Sequence, residues 1–349
     1  MTLHQKDGDD YAGGTRRPTA VAHAQHDIAP GVVLILGGSS TLGLAAGRAL
    51  RAAGHPVALT TRNAEGTGRI HAALAPGEAG IPGGGTDFSG NRPDLFSNRP
   101  DLFSNRPDLS NGGADRCRVC RHTGHAPYAV LPVESAESLP DRCADALGTP
   151  PRHMVDFMHG RFETLVAAAH VHDIDRWAID DIALRARCLR AVSRAMLAER
   201  AGRCVFVSST AAAMAAHGQG YYAAAKAAGE ALYRSAGLEL ASRGVTTCSL
   251  RLGWVDAGRG ADFIRGNDAP YRDGTAHAVP TPHTATQLAD GVPTGRLVTV
   301  DEVVGTLMFL LSGAATSLNA THITLDGGFT AGKPRAGTPR TGSGTRRTG

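Results

Sequence analysis

The sequence predicts a doubly wound α/β domain with a mainly parallel sheet, and three observations carry that prediction. Residues 32–36 (VVLIL) form an unbroken apolar run, the pattern of a strand buried on both faces. The run stops at Gly37 and Gly38, turns through Ser39, Ser40 and Thr41, and continues into a helical stretch over 43–53 and a second strand over 57–60. The third observation lies between Cys204 and Ala228. There Val205, Phe206 and Val207 lead into Ser208 and Ser209, a loop carries Gly218 and Gly220, and an alanine-rich helix begins at Tyr221.

The remaining elements are taken up in chain order. Residues 1–30 are polar and punctuated by Gly and Pro, which reads as a disordered leader. A short helix is expected over 63–76. The pattern then breaks: the unit NRPDLFS occupies 91–97 and 98–104, and an imperfect copy starts at Asn105. Pro93, Pro100 and Pro107 exclude a coiled coil, so 77–125 reads as a low-complexity insertion in a surface loop. Within it Cys117, Cys120, His122 and His125 have knuckle-like spacing but lack a second cysteine pair, so unpaired thiols and no metal are expected. Strands are expected over 128–133, 153–158 and 245–250, with helices over 138–147 and from Trp177 to about Arg200. Residues 259–295 read as a lid-like loop, in which His277 and His283 are weak catalytic candidates. Thr299 with Glu302 three residues on forms a capping box that opens a helix over 301–311. A last strand over 323–325 closes on Asp326-Gly327-Gly328, and 333–349 reads as a disordered basic tail.

Charge and composition narrow the function classes. The net charge is +4, but residues 331–349 hold five basic residues and no acid, so the folded part is near neutral and gives no support to nucleic-acid binding. The start, MTLHQKDGDD, lacks the apolar core of a secretory signal, and no apolar run reaches membrane-spanning length. Six cysteines without regular spacing fit reduced thiols, and a cytoplasmic protein with no membrane partner is expected.

The chemistry concentrates on three residues. Tyr222 and Lys226 are four apart on one helix, which sets them on the same face one turn apart. A phenol ionises near pH ~10 on its own. An ammonium one turn away is expected to lower that value toward the range useful for acid–base catalysis. Ser209, at the end of the preceding strand, is placed to hydrogen-bond a reacting oxygen. At the other site, the turn from Gly37 through Ser39, Ser40, Thr41, Leu42 and Gly43 presents a helix N-terminus to the pyrophosphate of a dinucleotide. No acid ends the second strand; Thr61 and Arg62 stand there, and Arg62 suits the 2′-phosphate of NADPH, with NADH as the alternative.

A serine thirteen residues before Tyr-x-x-x-Lys, together with the Gly37–Gly43 turn, resembles the short-chain dehydrogenase/reductases, and 3-oxoacyl-[acyl-carrier-protein] reductases among them. The resemblance implies a Rossmann-type sheet of about seven strands in one domain over 31–332. It implies Ser209, Tyr222 and Lys226 as catalytic residues, and as cofactor contacts Gly160, Gly253 and Val255 beside Gly37, Ser39, Ser40, Thr41, Leu42, Gly43 and Arg62, together with Tyr222 and Lys226, the lysine holding the nicotinamide ribose. Departures from the family pattern stand beside these matches. Leu36 and Thr41 replace a threonine and a glycine of the turn. Phe157, Met158 and His159 replace Asn-Asn-Ala, and Leu252 and Ala257 replace a proline and a threonine. The relay asparagine of the long helix has Ala183 as its nearest match.

The function so implied is NADPH-dependent reduction of a ketone or 3-oxoacyl thioester, small or carried by an acyl-carrier protein, in a homodimer or homotetramer. Arg187, Arg190 and Arg194 share one helix face and are candidates for docking an acidic carrier protein. The rivals are an alcohol dehydrogenase for a secondary-metabolite alcohol and a cofactor-binding partner subunit with little turnover.

Overall fold

The computed structural model describes residues 27–74, 119–120, 125–133, 136–160, 162–214, 216–258 and 285–332. The expectations for 1–26, the NRPDLFS copies, Cys117, His122, His277, His283 and the tail lie outside them. Eight strands form one sheet: β1 (Val32–Leu36), β2 (Val57–Thr61), β3 (Val119–Cys120), β4 (Tyr128–Pro132), β5 (Pro151–Asp156), β6 (Gly202–Ser209), β7 (Val245–Leu252) and β8 (Thr321–Leu325). Their order is β3-β4-β2-β1-β5-β6-β7-β8. Seven of them run parallel, and β3 alone pairs antiparallel, on β4. That edge pairing departs from expectation, since Val119 and Cys120 fall inside the stretch read as a loop insertion.

The helices are α1 (Thr41–Ala52), α2 (Ala64–Leu74), α3 (Leu139–Leu147), α4 (Val171–Trp177), α5 (Leu184–Ala198), α6 (Gly220–Leu240), α7 (Ala285–Asp290) and α8 (Val300–Leu311). They form two layers. Leu50, Ile70, Val303 and Leu307 of α1, α2 and α8 pack on one sheet face. Leu139, Cys143, Leu189, Val192, Met196 and Tyr233 of α3, α5 and α6 pack on the other. With both faces covered, β1 and β2 are buried along their whole length, as their apolar runs require. The capping box forms as read: Thr299 accepts from the Glu302 N–H, and Glu302 accepts from the Thr299 N–H.

Two further departures from expectation concern the amino-terminal end of the sheet and the long helix. Residues 27–29, read as part of a disordered leader, are packed: Ile28 is buried, the Asp27 carbonyl accepts from Gly313 N–H at 3.0 Å, and the Ala29 carbonyl meets His153 Nε2 at 2.8 Å. The long helix begins at Val171 rather than Trp177 and is interrupted by a π-helical turn, Ala178–Ala183, before α5. A π turn carries one residue more per hydrogen-bonded ring than an α turn, so it rotates the side chains of α5 about the axis relative to those of α4.

Strand order reverses on either side of β1, with β2 on one flank and β5 on the other. The crevice beyond the carboxyl ends of strands at such a point is where doubly wound sheets take ligands. The ends of β1, β2, β5, β6 and β7 deliver Gly37, Arg62, Asp156, Ser209 and Gly253 to that side.

Candidate active site

Phe206 of β6 is the floor on which the catalytic wall is built. Gly229 of α6 faces its ring so closely that a Cβ would sit 2.4 Å from Phe206 Cζ, so only glycine allows this approach. The close packing draws the preceding turns of α6 down onto the end of β6. Lys226 is consequently buried, donating from Nζ to the Val207 carbonyl at 2.9 Å, with Nζ 5.1 Å from the Phe206 centroid and 5.8 Å from that of Tyr222. One turn earlier the Tyr222 hydroxyl is hydrogen-bonded to Ser209. Ser209 Oγ also accepts from the Ala211 N–H at 3.2 Å, which fixes its rotamer at the strand end. The three residues singled out from their spacing are thus brought together.

The electrostatics run against the expectation for the phenol. Burial raises the Tyr222 pKa, and the lowering influences, the Ser209 hydrogen bond and the charge of Arg185, do not offset it. Lys226 is itself lowered to about 7, by burial first and then by repulsion from Arg185, against the attraction of Asp156, Asp181 and Glu230. An ammonium that gives up its proton near neutrality cannot hold the half-buried phenol low; spacing showed the neighbour but not the loss of solvent.

Three charged residues that the motif reading missed complete the wall. Asp156, at the end of β5, is fully buried; its Oδ2 accepts from Arg185 Nε at 3.0 Å and from the Tyr233 hydroxyl at 3.2 Å, while Oδ1 accepts from the Met158 N–H at 2.8 Å. Arg185 also donates to the carbonyls of Met158 and Asp181. Asp181, buried in the π turn, accepts the Gly160 N–H, and burial raises its pKa. Ala183 ends the π turn, and the polar side chain that reaches the site is Asp181. A sequence signal existed for Arg185. It shares the apolar stripe of α5 with Cys188, Leu189, Val192 and Met196, where an arginine is out of place unless paired.

The cofactor side is made mostly of backbone. Gly37 has φ +71° and donates its N–H to Thr60 Oγ1 at 3.0 Å. Ser40 caps α1, its side chain accepting from the Gly43 N–H, and a Cβ on Gly43 would lie 2.8 Å from the Gly37 carbonyl oxygen. Thr41 is the first residue of α1, and Leu42 packs toward the core. Ser39 lies in the turn itself. The N–H groups of a helix's first turn lack partners within the helix. A glycine-lined turn at such an end has the polarity that suits an anionic pyrophosphate. Gly253 donates to the Leu325 carbonyl at 3.0 Å, with no room for a side chain beside Asp326. Val255 is buried and bridges to Val298. Arg62 lies at the rim, 3.8 Å from Asp180 of the π turn, with both side chains substantially exposed. Gly160, bound to Asp181, joins this side to the catalytic wall.

Cys143, Cys188, Cys204 and Cys248 are buried and stand outside any disulfide. Among the described residues no cluster of His, Cys, Asp or Glu could hold a metal ion, and no helix is long and apolar enough to cross a membrane.

Comparison with known proteins points the same way as the geometry. Residues 181–330 match the family model described as "Enoyl-(Acyl carrier protein) reductase". The 3-oxoacyl-[acyl-carrier-protein] reductase FabG of Salmonella typhimurium is 30% identical over 143 residues, 41% of this chain and 52% of that protein. The chain thus spans about half the length of the carrier-protein reductases it matches. The cis-4-hydroxycyclohexanecarboxylate dehydrogenase of Sinomonas cyclohexanicum is 28% identical over 231 residues, 64% of this chain and 84% of that one. A short-chain dehydrogenase/reductase family oxidoreductase from Burkholderia thailandensis superposes with a TM-score of 0.61 at 21% identity, covering 87% of this chain and 94% of its own. Ser209, Tyr222 and Lys226 are thus assembled beside a glycine-lined helix N-terminus on a fold shared with the Burkholderia short-chain dehydrogenase/reductase, and part of the chain is similar to the 3-oxoacyl-[acyl-carrier-protein] reductases.

Proposed function

We propose that the protein is an NADPH-dependent reductase that delivers hydride to the carbonyl carbon of a ketone or a 3-oxoacyl thioester. The observation that carries this reading is the assembly of half-buried Ser209 and Tyr222 with buried Lys226 at the carboxyl ends of the strands, the same end of the sheet as the Gly37–Gly43 turn. In it Gly37, Ser39, Ser40, Thr41, Leu42 and Gly43 would hold the pyrophosphate of NADPH, Arg62 its 2′-phosphate, and Gly160, Gly253 and Val255 the nicotinamide side. The bound nicotinamide supplies the hydride.

The chain's own residues supply the rest. A carbonyl oxygen entering the site takes hydrogen bonds from Ser209 and Tyr222 in place of the bond between them. As negative charge gathers on that oxygen, Tyr222 gives up its phenolic proton. Burial keeps that proton on Tyr222 at neutral pH, which suits the reductive direction, where the phenol must start protonated. Lys226, near half-charged at neutrality, is matched to passing a proton back to the phenolate. Arg190 and Arg194 of α5 line a groove of about 430 Å³ with Glu137 and with Pro140 and Asp141 of α3; with Arg187, also exposed on α5, they suit an acidic carrier protein as substrate bearer.

The test is NADPH oxidation with a panel of 3-oxoacyl thioesters and cyclic ketones, wild type against Tyr222→Phe. Turnover of at least one substrate, lost in the variant, supports the reading; equal turnover in both overturns it. A second reading, oxidation of a cyclic alcohol, is favoured by the similarity to the Sinomonas dehydrogenase over most of that protein's length. Faster NAD-linked oxidation of hydroxycyclohexane carboxylates than NADPH-linked reduction of any ketone would select it.

A further inference from the structure

Two cationic side chains converge on one aromatic ring in the core of the site. Arg185 Cζ lies 4.9 Å from the Phe206 centroid and Lys226 Nζ 5.1 Å from it. Like charges so placed in a buried setting repel, and only one of the two can drop its charge, because a guanidinium stays protonated in proteins. Arg185 is also the better anchored. It is 1% exposed and reaches three separate pieces of chain: the end of β5 through Asp156, the next loop through the Met158 carbonyl, and the π turn through the Asp181 carbonyl. The loop and the π turn are then joined again by Asp181 and the Gly160 N–H. His159 of that loop stands edge-on to Tyr222, with centroids 6.3 Å apart and planes at 90°.

We propose that Arg185 is a positioning residue for the proposed reaction: a permanent cation that holds the 157–160 loop and the π turn as the wall beside Tyr222 and supplies the fixed positive charge behind its phenol. The inference rests on the reductase reading for its kinetic consequences, but its geometry and charge are properties of the chain alone. The groups that face the phenol are Ser209 from β6, Arg185 from α5, Asp181 from the π turn, Lys226 from the next turn of α6 and His159 from the loop. Arg185 is the permanent cation of that set. Arg185 favours the phenolate, while Asp181 and burial oppose it. Asp156, the counter-ion, accepts from Arg185, Tyr233 and the Met158 N–H; it anchors the cation and offsets part of its charge.

The experiment compares wild type, Arg185→Lys and the double variant Arg185→Gln/Asp156→Asn. The double variant removes both charges while leaving hydrogen-bonding side chains in place, which guards against simple unfolding; thermal melts identify the folded preparations. The first readout is an ultraviolet titration of tyrosinate without nucleotide, each form measured against its own Tyr222→Phe background. The second is the pH profile of kcat and KM on the best substrate of the panel. The expected result is a Tyr222 phenol that titrates at higher pH in the double variant than in wild type and returns toward wild type in Arg185→Lys. With it kcat should fall roughly tenfold or more in the double variant while KM changes by less than about threefold. A phenol that titrates identically in wild type and double variant, or an Arg185→Lys protein that behaves like the double variant, overturns the proposal. If wild type turns over nothing in the panel, the reductase reading falls, and the phenol titration still decides the role of Arg185.

Discussion

The two walls of the cleft are held by opposite means. On the catalytic side, side chains do the holding: Asp156, Arg185, Lys226 and Tyr233 are all buried, and each is tied to the next strand or loop by a polar bond. On the cofactor side the backbone does it, through the positive φ of Gly37, the Ser40 cap and the Gly43 approach, and the one charged contact, Arg62 with Asp180, lies out at the rim. Buried ionic groups lose much when a partner is removed, whereas rim charges lose little. The contrast therefore separates residues whose loss should damage the fold from residues whose loss should damage nucleotide binding alone.

The largest effect expected is from Asp156→Ala, which strands Arg185 in the core; unfolding in urea should show a loss of about 3–5 kcal/mol. A loss under about 1 kcal/mol would erase the distinction between the walls. Next comes Lys226→Met, whose effect depends on pH. The folded Lys226 pKa, about 7, lies below its ordinary 10.5, so between those values the unfolded chain binds more protons and wild-type stability rises with pH. Burying the ammonium is therefore costliest below pH 7. The methionine variant should gain stability relative to wild type at pH 6, by an amount on the order of 2–4 kcal/mol, and the gain should shrink toward pH 10. A difference independent of pH would show that Lys226 is not held near neutrality.

Smaller effects belong to the cofactor wall. Gly43→Ala places a methyl against the Gly37 carbonyl oxygen, at a cost of about 1–2 kcal/mol in stability. Its NADPH affinity, read by fluorescence titration, should drop about tenfold as the cradle opens. Unchanged affinity would mean that the turn is not where the pyrophosphate lies. The smallest change in stability is expected from Arg62→Ala, under about 1 kcal/mol because both partners are exposed. The same variant should lose about tenfold in preference for NADPH over NADH. A preference that stays put would assign the 2′-phosphate to another group.

Legibility in the sequence divides along the same line. The β1 run, the α1 turn and the Thr299–Glu302 box are local patterns, and each forms where the residues indicate. So does the strand–loop–helix that brings Ser209 to Tyr222, because helical spacing alone sets Tyr222 and Lys226 one turn apart. Spacing does not show burial. The same proximity that suggests a low phenol pKa comes with a loss of water that raises it and discharges Lys226 instead. The π turn is hidden for another reason. Residues 178–183 read as ordinary helix, and their composition carries no mark of the wider hydrogen bonding that they adopt, with Asp181 meeting the Gly160 N–H. The two-residue β3 has too few residues to leave any periodicity.

The central claim is that a carbonyl sits between Tyr222 and a nicotinamide held by the opposite wall. NADPH carrying deuterium at its transferable C4 position tests it directly, with mass analysis of the alcohol formed from the best ketone or thioester of the panel. Wild type should place one deuterium on the carbinol carbon, and Tyr222→Phe should bind the nucleotide with unchanged affinity yet form labelled alcohol at least about a hundredfold more slowly. Labelled alcohol formed at the wild-type rate by Tyr222→Phe would contradict the account.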